Sequence, residues 1–487
     1  MPRPLLCATV TAATTAELRR RRDAVIDADL IELRLDGVRD IDVAAAIAGC
    51  ATPLVITCRP TWEGGRFDGS EEERHRILAR AAAADAAYVD LEWRAGFGDL
   101  IRHRHGKGIV LSCHDFDGVP ADLAALHAAM KATGAEVVKL AVRLGSLSDS
   151  LRLRDVTRGE QAGTAVVGMG PAGWPTRILA AHFGSCWSYA GDAAPGQIPL
   201  CRLLDEYRFR SITPVTRVFG IAGAPIGHSL SPALHNAAFD ALGIDAVCVP
   251  LQSESAEDVL RFADALDVQG IAVTAPLKVA LARRMAELDS VASRVGAANT
   301  MARGDGLWIG RNTDVAGFLA PLAGRTDVAG ARAAVLGTGG AARSVAVALA
   351  SAGASISVYG RSLDRASAVA DLAGGEARTG LPRRGTWNVL VNATPVGTVP
   401  GDGETPIPAG LIGGGLVYDL VYNPADTRLL REAREAGCAT IGGLDMLVAQ
   451  AALQAEWWNG RAAPVAAMRE AAARRLAAGE AGATGER

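Results

Sequence analysis

Apolar, β-branched runs recur through the first two hundred residues, and each run closes on a polar or charged residue. The runs occupy residues 4–10, 30–36, 54–59, 87–93, 109–114, 137–142, 165–169 and 186–190. The stretches between them, such as residues 71–80 and 121–130, have the composition of helices. Eight strands that alternate with helices predict a (β/α)8 barrel at the start of the chain.

The residues that close these strands form the first candidate site, because a (β/α)8 barrel carries its chemistry at the carboxyl ends of its strands. In chain order they are Glu32, Arg34, Arg59, Glu92, His114, Lys139 and Met169. Each has a plain structural interpretation, such as an edge lysine, a core histidine or an ion pair between Glu32 and Arg34. Their joint occurrence at strand ends favours a catalytic role.

Lys139 is the most informative residue of this set, since it lies among apolar neighbours in the sixth run. A lysine in a strand that is covered on both faces loses hydration, which disfavours the ammonium form and leaves a nucleophilic amine. Such an amine condenses with a carbonyl compound. The sequence therefore predicts an imine intermediate.

Motifs at four places accompany these strand ends, and their order is informative. They occupy residues 57–65, 112–116, 174–177 and 194–197. With these motifs, residues 1–212 resemble the type I 3-dehydroquinate dehydratases. The resemblance implies that Lys139 forms the Schiff base, that His114 is the general acid/base and that Glu63 is its carboxylate neighbour. It also implies that the substrate is held by Glu32, Arg34, Arg59, Arg177 and Gln197.

The chemistry that this resemblance implies suits the residues present. An imine at the substrate ketone acidifies the adjacent C–H bond, so His114 can remove that proton and then protonate the departing hydroxyl. One position departs from the family pattern: Ala193 stands where members often have a serine. This change removes one hydroxyl contact to the substrate.

Length and composition point to further domains and to small-molecule partners. A chain of 487 residues predicts two or three domains, and a net charge of -3 offers no basic surface for nucleic acid. The eight cysteines include no Cys-x-x-Cys pair, so we expect neither a disulfide framework nor a metal site. No apolar stretch approaches the roughly 20 residues that span a bilayer, so we expect a cytoplasmic protein without a membrane partner. The oligomeric state stays open.

A glycine-rich turn marks a dinucleotide-binding module in the second half of the chain. It follows an apolar strand at residues 333–336 and precedes a helix at 343–352, and another strand comes at 356–359. The residues of the turn that we expect at the cofactor are Gly337, Gly339, Gly340, Ala341 and Ala342. A G-x-G-x-x-A turn between a strand and a helix predicts a Rossmann domain that binds a pyrophosphate at the helix N-terminus.

The end of the strand at 356–359 indicates which nicotinamide cofactor is used. NAD-binding domains usually place an acidic residue there to bind the ribose 2′-hydroxyl. This chain has Arg361 and Arg365 instead. Two arginines favour a 2′-phosphate and hence NADP, although they could also begin a solvated helix face.

Motifs on both sides of the glycine-rich turn carry a second resemblance. They lie at residues 227–232, 273–278, 298–300, 311–314, 392–395 and 446–450. In this order they resemble shikimate dehydrogenases over residues 217–475. The resemblance implies that Lys278 and Asp314 are the catalytic pair. It implies substrate contacts from Ser229, Ser231, Thr274, Asn299, Tyr422 and Gln450, and cofactor contacts from Thr394 and Gly443.

These polar residues also have structural alternatives. Ser229 and Ser231 could cap a helix, Asp314 could cap another, and Lys278 could lie on a solvated helix face. A lysine–aspartate pair nevertheless suits ketone reduction, because the alkoxide formed by hydride transfer needs a proton from a nearby acid.

The predicted fold class is α/β, with an N-terminal (β/α)8 barrel followed by a two-lobed α/β dehydrogenase that contains a Rossmann NADP-binding domain. The last barrel helix is expected at residues 200–209. The expected domains are 1–213 for the barrel, 214–318 with 443–475 for substrate binding, and 319–442 for the Rossmann domain. We expect residues 476–487 to form a disordered tail.

With both regions together, the chain resembles the fused dehydroquinate dehydratase–shikimate dehydrogenases of plants. They imply dehydration of 3-dehydroquinate to 3-dehydroshikimate, followed by reduction to shikimate with NADPH. Two alternatives remain open at this point. The enzyme could be a catabolic quinate or shikimate dehydrogenase–dehydratase, or one module could be inactive and retained for binding or regulation.

Overall fold

The computed structural model describes residues 3–84, 86–159, 163–193 and 196–484. Contacts between Cα atoms separate two compact units in this chain. The first consists of Met1–Val218 with Val249–Val268, and the second consists of Phe219–Cys248 with Gln269–Arg487.

The described strands and α-helices follow one another in these bounds. The strands are β1 Leu5–Thr11, β2 Leu30–Arg34, β3 Leu54–Thr57, β4 Tyr88–Glu92, β5 Ile109–Asp115, β6 Val137–Arg143, β7 Thr164–Met169, β8 Trp187–Ala190, β9 Arg217–Gly223, β10 Ala246–Gln252, β11 Gly270–Val273, β12 Glu287–Leu288, β13 Thr300–Gly304, β14 Leu307–Arg311, β15 Arg332–Leu336, β16 Ser355–Tyr359, β17 Glu376–Arg378, β18 Val389–Asn392, β19 Leu416–Asp419 and β20 Ala439–Ile441. The helices are α1 Thr15–Asp23, α2 Val43–Ile47, α3 Glu71–Ala83, α4 Gly98–His103, α5 Leu123–Lys131, α6 Asp149–Thr157, α7 Trp174–Ile178, α8 Ser231–Ala241, α9 Ala256–Ala265, α10 Lys278–Ala282, α11 Ser290–Val295, α12 Asp314–Leu319, α13 Gly340–Ser351, α14 Leu363–Ala370, α15 Arg428–Glu435, α16 Gly443–Asn459 and α17 Val465–Thr484.

The first unit contains the expected barrel. Strands β1–β8 form a sheet in the order β7-β6-β5-β4-β3-β2-β1-β8, and the paired neighbours run parallel. At the remaining seam, the backbone N–H of Cys186 donates to the carbonyl of Thr164 at 2.7 Å, so the barrel is nearly closed. The predicted fold is confirmed, with each of the eight strands in place.

The alternation of side chains along the strands gives the barrel interior its layers. An apolar cluster contains Cys7, Leu30, Val55, Val110, Val137, Ala165 and Trp187. Because every second side chain of a strand faces the same way, the residues two positions further on also point inward. In β2, β5 and β6 these are Glu32, Ser112 and Lys139, all buried. The sequence thus places a layer of polar side chains next to an apolar layer in the barrel interior.

Capping and amphipathic packing define the helices around the barrel, and α3 is an example. The Ser70 side chain accepts a hydrogen bond from the backbone N–H of Glu73, and the first turn is acidic, which suits the positive end of the helix dipole. Ile77 and Leu78 are buried, four and five residues further along. The helix therefore begins at a satisfied N-terminus and turns an apolar face inward.

The second unit contains the predicted dinucleotide-binding sheet. Its strand order is β17-β16-β15-β18-β19-β20, and every pair is parallel. This is the doubly wound order in which the crevice beside the first strand receives a dinucleotide. A separate six-stranded sheet has the order β10-β9-β11-β13-β14-β12 and is mixed, since β13 runs antiparallel to both β11 and β14.

The glycine-rich turn lies between β15 and α13, as predicted. Gly337 has φ of 121°, and a Cβ atom there would lie 2.9 Å from the carbonyl oxygen of Ala393, so only glycine fits. Ala342 is fully buried in the core of this domain. Its small side chain lets α13 pack closely on the sheet, so its contribution to the cofactor site is through packing.

The C-terminal helices α16 and α17 pack against α8. Leu234, Ala451 and Met468, one from each helix, lie in one buried cluster. The expectation of a disordered tail from residue 476 was wrong for residues 476–484, which continue α17. Alanine has the highest helix propensity, and this alanine-rich segment follows it. Residues 485–487 lie outside the described part.

Two smaller features of the chain bear on the predictions. The helix expected at 200–209 is instead a π-helical segment at Arg202–Glu206, where the backbone N–H of Tyr207 donates to the carbonyl of Arg202 at 3.1 Å. In the described part of the chain, no helix combines the length and apolar character needed to cross a membrane.

Candidate active sites

A cavity of about 130 Å³ lies at the carboxyl ends of the barrel strands. Its lining includes Glu32, Arg34, Arg59, Glu63, His114, Lys139, Met169, Arg177, Ala193 and Gln197. All the residues that the sequence assigned to the dehydratase substrate are therefore neighbours. Glu92, a strand-end candidate, does not line the cavity.

Lys139 points into this cavity from β6 and is only 6% exposed. Its Nζ atom lies 3.4 Å from Oδ2 of Asp90 and 3.9 Å from Oε1 of Glu32. It also lies 4.1 Å from the centroid of the Tyr189 ring. The apolar surroundings expected from the sequence are thus incomplete, because two carboxylates and an aromatic face surround the amine.

Asp90 is the principal residue of this site that sequence reasoning missed. It is fully buried on β4 and bridges Lys139 to Arg59, whose Nη2 lies 2.9 Å from its Oδ1. The positive charges of Arg59 and Lys139 outweigh burial and lower the pKa of the Asp90 carboxyl. The signal was its position two residues before Glu92, which places the two carboxylates on the same face of β4.

Arg59 and Glu92 belong to a buried charge network below the cavity. Arg59 Nη1 lies 2.8 Å from Oε1 of Glu92 and 2.7 Å from Oγ of Ser112. Arg74 also pairs with Glu92 from α3. Glu92 is therefore satisfied by two arginines, which explains why it is not available to a substrate.

His114 and Glu63 form the expected pair. Oε1 of Glu63 lies 3.0 Å from Nδ1 of His114 and accepts the backbone N–H of the same residue at 2.9 Å. Because this oxygen is an acceptor, we assign the proton of the neutral ring to Nδ1, which leaves Nε2 with a lone pair. Burial, together with the charges of Arg59 and Lys139, holds the pKa of His114 well below its usual value.

Glu63 governs the expected pH dependence of dehydration, since burial raises the pKa of its carboxyl to about 7. The form with ionised Glu63 and neutral His114 is populated above that pH. We therefore expect kcat/KM for dehydration to fall as the pH is lowered through about 7. Glu63→Gln should lower the rate by about 10²- to 10⁴-fold and remove this limb. A pH profile of both proteins tests this, and an unchanged limb in the variant would assign it to another group.

Two further residues of the dehydratase cavity, Glu32 and Arg34, already bind other side chains of the protein. Glu32 accepts hydrogen bonds from Thr9 and Thr57, each at 2.9 Å. Arg34 pairs with Asp36 through two contacts of 2.8 Å, so the suggested Glu32–Arg34 ion pair is not the arrangement found.

Arg177 is the best placed of these residues to bind an anion. Burial lowers the pKa of its guanidinium to about 10, and its Nε atom has no hydrogen-bond partner within the described residues. A buried cation that lines a cavity without a matching charge is stabilised by an anionic ligand. This suits the carboxylate of a substrate.

A second cavity, of about 160 Å³, lies in the second unit. Its lining includes Ser229, Ser231, Ala272, Thr274, Lys278, Asn299, Asp314, Ala341, Tyr422, Gly443, Gln450 and Gln454. Every residue assigned to the dehydrogenase substrate from the sequence is present. Gly443, which was expected at the cofactor, lines this cavity as well.

The Lys278–Asp314 pair is the centre of this cavity. Lys278 Nζ lies 2.5 Å from Oδ2 of Asp314, while the other carboxylate oxygen accepts from Nδ2 of Asn299 at 2.8 Å. Asn299 Nδ2 is also 3.0 Å from Oε1 of Gln450. Lys278 is therefore held by a buried carboxylate rather than extended into solvent.

The structure does not contain the helix caps that were the alternative interpretation of Ser229, Ser231 and Asp314. Helix α8 begins at Ser231 and has no side-chain cap, although Oγ of Ser229 lies 3.3 Å from the backbone N–H of Ser231. Helix α12 begins at Asp314 itself and also has no side-chain cap. These side chains are thus available to the cavity.

Gln454 lines the cavity but was not predicted. Its Nε2 donates to the backbone carbonyl of Asn299 at 3.0 Å, and its Oε1 lies 3.1 Å from Nε2 of His235. It follows Gln450 by one helical turn on α16, so the i, i+4 spacing placed both amides on one face. That spacing was the signal in the sequence.

A cofactor site adjoins this cavity. Ala341, Leu420 and Tyr422 line both it and a further cavity of about 280 Å³, which also contains Thr394. The glycine-rich turn fits a dinucleotide, since a Cβ atom added to Gly339 would meet no atom within 4 Å. The start of α13 is therefore open to a pyrophosphate.

The two arginines that were predicted to bind the 2′-phosphate follow β16. Arg361 and Arg365 are exposed at the start of α14, and neither has an ion-pair partner among the described residues. Ser362 between them caps the helix by accepting from the backbone N–H of Arg365. That their guanidinium groups bind a 2′-phosphate stays a prediction.

Three family models match the chain. They are type I 3-dehydroquinase at residues 6–214, the shikimate dehydrogenase substrate binding domain at 221–301 and the shikimate 5′-dehydrogenase C-terminal domain at 443–473. A chloroplastic bifunctional 3-dehydroquinate dehydratase/shikimate dehydrogenase of Arabidopsis thaliana is 34% identical, over 94% of this chain and 83% of its own. A shikimate dehydrogenase (NADP(+)) of Microcystis aeruginosa is 38% identical, over 53% of this chain and 96% of its own.

A solved structure extends the comparison to bound ligands. Shikimate 5-dehydrogenase from Thermus thermophilus, in complex with NADP(H) and shikimate, is 37% identical with a TM-score of 0.50. It covers 53% of this chain, and 99% of that protein is matched.

The fold and the two sites define an α/β enzyme in which a lyase barrel precedes an NADP-dependent oxidoreductase. Each half has its own cavity and its own catalytic lysine candidate. The chain belongs to the family of bifunctional 3-dehydroquinate dehydratase/shikimate dehydrogenases. The expected enzyme class and cofactor are confirmed.

Proposed function

We propose that the chain converts 3-dehydroquinate to 3-dehydroshikimate at the barrel cavity and reduces this product to shikimate at the second cavity. The observation that carries the proposal is that both sites are complete within one chain. Lys139, His114 and Glu63 line the first cavity, and Lys278 and Asp314 line the second. The product of the first reaction is the substrate of the second.

In the barrel, Lys139 Nζ attacks the ketone carbon and water leaves, which forms an imine. Nε2 of His114 then removes a proton from the adjacent carbon and later returns it to the departing hydroxyl, which leaves as water. A water molecule finally hydrolyses the imine, which releases 3-dehydroshikimate and restores the Lys139 amine. Glu63 holds the ring in the tautomer that this requires. Arg177 binds the substrate carboxylate, and Glu32, Arg34, Arg59 and Gln197 define the rest of the cavity.

In the second cavity, Lys278 donates a proton to the carbonyl oxygen as it becomes an alkoxide. Bound NADPH supplies the hydride. Asp314 fixes the Lys278 ammonium at 2.5 Å, and Asn299 fixes Asp314 in turn. Ser229 and Ser231 bind the substrate carboxylate, while Thr274, Tyr422 and Gln450 contact the ring.

The experiment that tests the function supplies the intact protein with 3-dehydroquinate and NADPH. Shikimate should form with oxidation of one NADPH per molecule. Each half-reaction should also proceed alone when its own substrate is given. Loss of either half-reaction in the unmodified protein would favour the alternative in which that module is retained only for binding.

Cofactor preference provides a sharper test of the NADP site. Arg361→Ala should raise KM for NADPH by about tenfold, the value of one charged hydrogen bond, and leave KM for NADH nearly unchanged. Arg332→Ala is a matched control, since Arg332 lies at the opposite end of β15 from the glycine-rich turn. Equal penalties for both cofactors would place Arg361 outside the 2′-phosphate site.

The polar residues around the substrate ring support the biosynthetic direction over the catabolic alternative. At one edge of the ring, Ala272 makes substrate recognition weaker. Shikimate dehydrogenases commonly have asparagine or serine there, and a methyl group forms no hydrogen bond. Ala272→Asn should increase the preference for shikimate over quinate by a few-fold to about tenfold. The ratio of kcat/KM values for the two oxidations measures this. A ratio that favours quinate in the unmodified enzyme would support the catabolic function.

Domain bounds and location complete the proposal. We place the boundary between the halves at 213–214 and the Rossmann domain at 319–442, and limited proteolysis that cleaves elsewhere would revise these bounds.

We also propose a cytoplasmic location, supported by the absence of disulfides among the eight cysteines, all of which are described. Fractionation that recovers the protein in another compartment would contradict it.

A further inference from the structure

Asn312 holds the backbone at Asp314 from within the protein. It lies between β14 and α12 and is only 5% exposed. Its Oδ1 accepts the backbone N–H of Asp314 at 3.1 Å, and its Nδ2 donates to the carbonyl of Ala297 at 2.8 Å. The position of the catalytic carboxylate therefore depends on this amide.

Ser344 links the same amide to the glycine-rich turn. It is fully buried in the second turn of α13. Nδ2 of Asn312 lies 3.2 Å from its Oγ, and this hydroxyl can donate in turn to the carbonyl of Gly340 at 3.4 Å. A continuous buried path of hydrogen bonds thus joins Gly340, the first residue of α13, to Asp314.

The other member of the catalytic pair also contacts Gly340. A Cβ atom added to Gly340 would lie 3.1 Å from Cδ of Lys278, so the lysine side chain packs where Gly340 lacks one. Lys278 therefore packs against Gly340, and Asp314 is connected to the same residue by hydrogen bonds.

We propose that Asn312 and Ser344 are positioning residues that couple cofactor binding at the start of α13 to the Lys278–Asp314 pair. A pyrophosphate that binds the N–H groups at a helix N-terminus fixes the backbone there, including Gly340. Buried hydrogen bonds transmit this constraint because their alternative is an unsatisfied polar group. Cofactor and substrate should then each strengthen the binding of the other. The inference rests on the proposed dehydrogenase function.

The experiment measures the dissociation constant of shikimate by calorimetry, with and without saturating NADP+. In the unmodified protein NADP+ should tighten shikimate binding by about fivefold or more, and shikimate should tighten NADP+ binding by the same factor. Ser344→Ala should bring this factor close to one, with the affinity for NADP+ alone nearly unchanged. It should also lower kcat for reduction more than it changes KM.

Ser351→Ala is the matched control. This hydroxyl also bonds a backbone carbonyl on α13, that of Val347 at 2.8 Å, but it does not contact Asn312. The control should keep the wild-type coupling, and the affinity of both variants for NADP+ alone should show that the second unit is folded. A second variant, Gly340→Ala, places a methyl group against Lys278 and should lower kcat for reduction.

The outcomes separate this inference from the proposed function. Coupling that persists in Ser344→Ala would overturn the inference, as would its absence from an unmodified protein that reduces 3-dehydroshikimate normally. An unmodified protein that does not reduce 3-dehydroshikimate with NADPH would instead overturn the dehydrogenase function, and the inference with it.

Discussion

Replacing Lys139 with alanine is expected to abolish dehydration, with a loss on the order of 10⁴- to 10⁶-fold. Among the described residues, no other lysine lines the barrel cavity, so no nearby amine can form the imine in its place. Reduction at the second site should stay within a few-fold of the unmodified rate. This internal control separates loss of chemistry from loss of folding.

Trapping with borohydride identifies the amine directly. Reduction in the presence of 3-dehydroquinate should fix the mass of the ligand on the peptide that contains Lys139. The chain has only four lysines, at 107, 131, 139 and 278, so few peptides have to be compared to find the labelled one. Lys107→Ala is a suitable control, because Lys107 is exposed and should leave both trapping and turnover intact. Label on another lysine, or none at all, would reject the covalent mechanism.

Lys278→Ala is expected to slow reduction by about 10²- to 10⁴-fold, the usual scale for a general acid. Its ammonium is the only one among the described residues that line the cavity, and Asp314 aligns it. Shikimate should still bind, because its carboxylate is assigned to Ser229 and Ser231. Binding measured by calorimetry, together with a normal dehydratase rate, would show that the site is otherwise intact.

Asp314→Asn extends this test to the partner of Lys278. The amide keeps a hydrogen bond to Asn299 possible but removes the charge opposite the ammonium. A reduced kcat for reduction is expected. Turnover at the normal rate in Lys278→Ala would leave the oxidoreductase without its proton donor, and the alkoxide would then have to be protonated by solvent.

The strand pattern was sufficient to predict the barrel and most of its site, because alternation fixes which residues of one strand face inward. It could not predict what faces Lys139 from other strands, since that depends on the register between them. Asp90 and Glu32 approach the amine only through the pairing of separate strands. Glu92 was misjudged for the same reason, because its arginine partners come from the segment that follows β3 and from α3.

The dehydrogenase site was predicted through motifs, and the omissions have similar physical causes. Ser344 and Gln454 act through contacts with segments that are distant in the chain. Spacing within a helix places such residues on a face, but the element opposite that face is set by tertiary packing. The tail was misjudged because the absence of an apolar period was weighed above the helix propensity of alanine.

The buried charges beneath the dehydratase cavity limit how this barrel can be re-engineered. Arg59 is matched to Asp90 and Glu92, and Glu92 is matched in turn to Arg74. Removing one member leaves an uncompensated charge in the interior, at a cost of about 3–5 kcal/mol. Libraries that vary these positions singly would therefore return mostly unfolded proteins. Altered substrate scope is more accessible at the rim of the cavity.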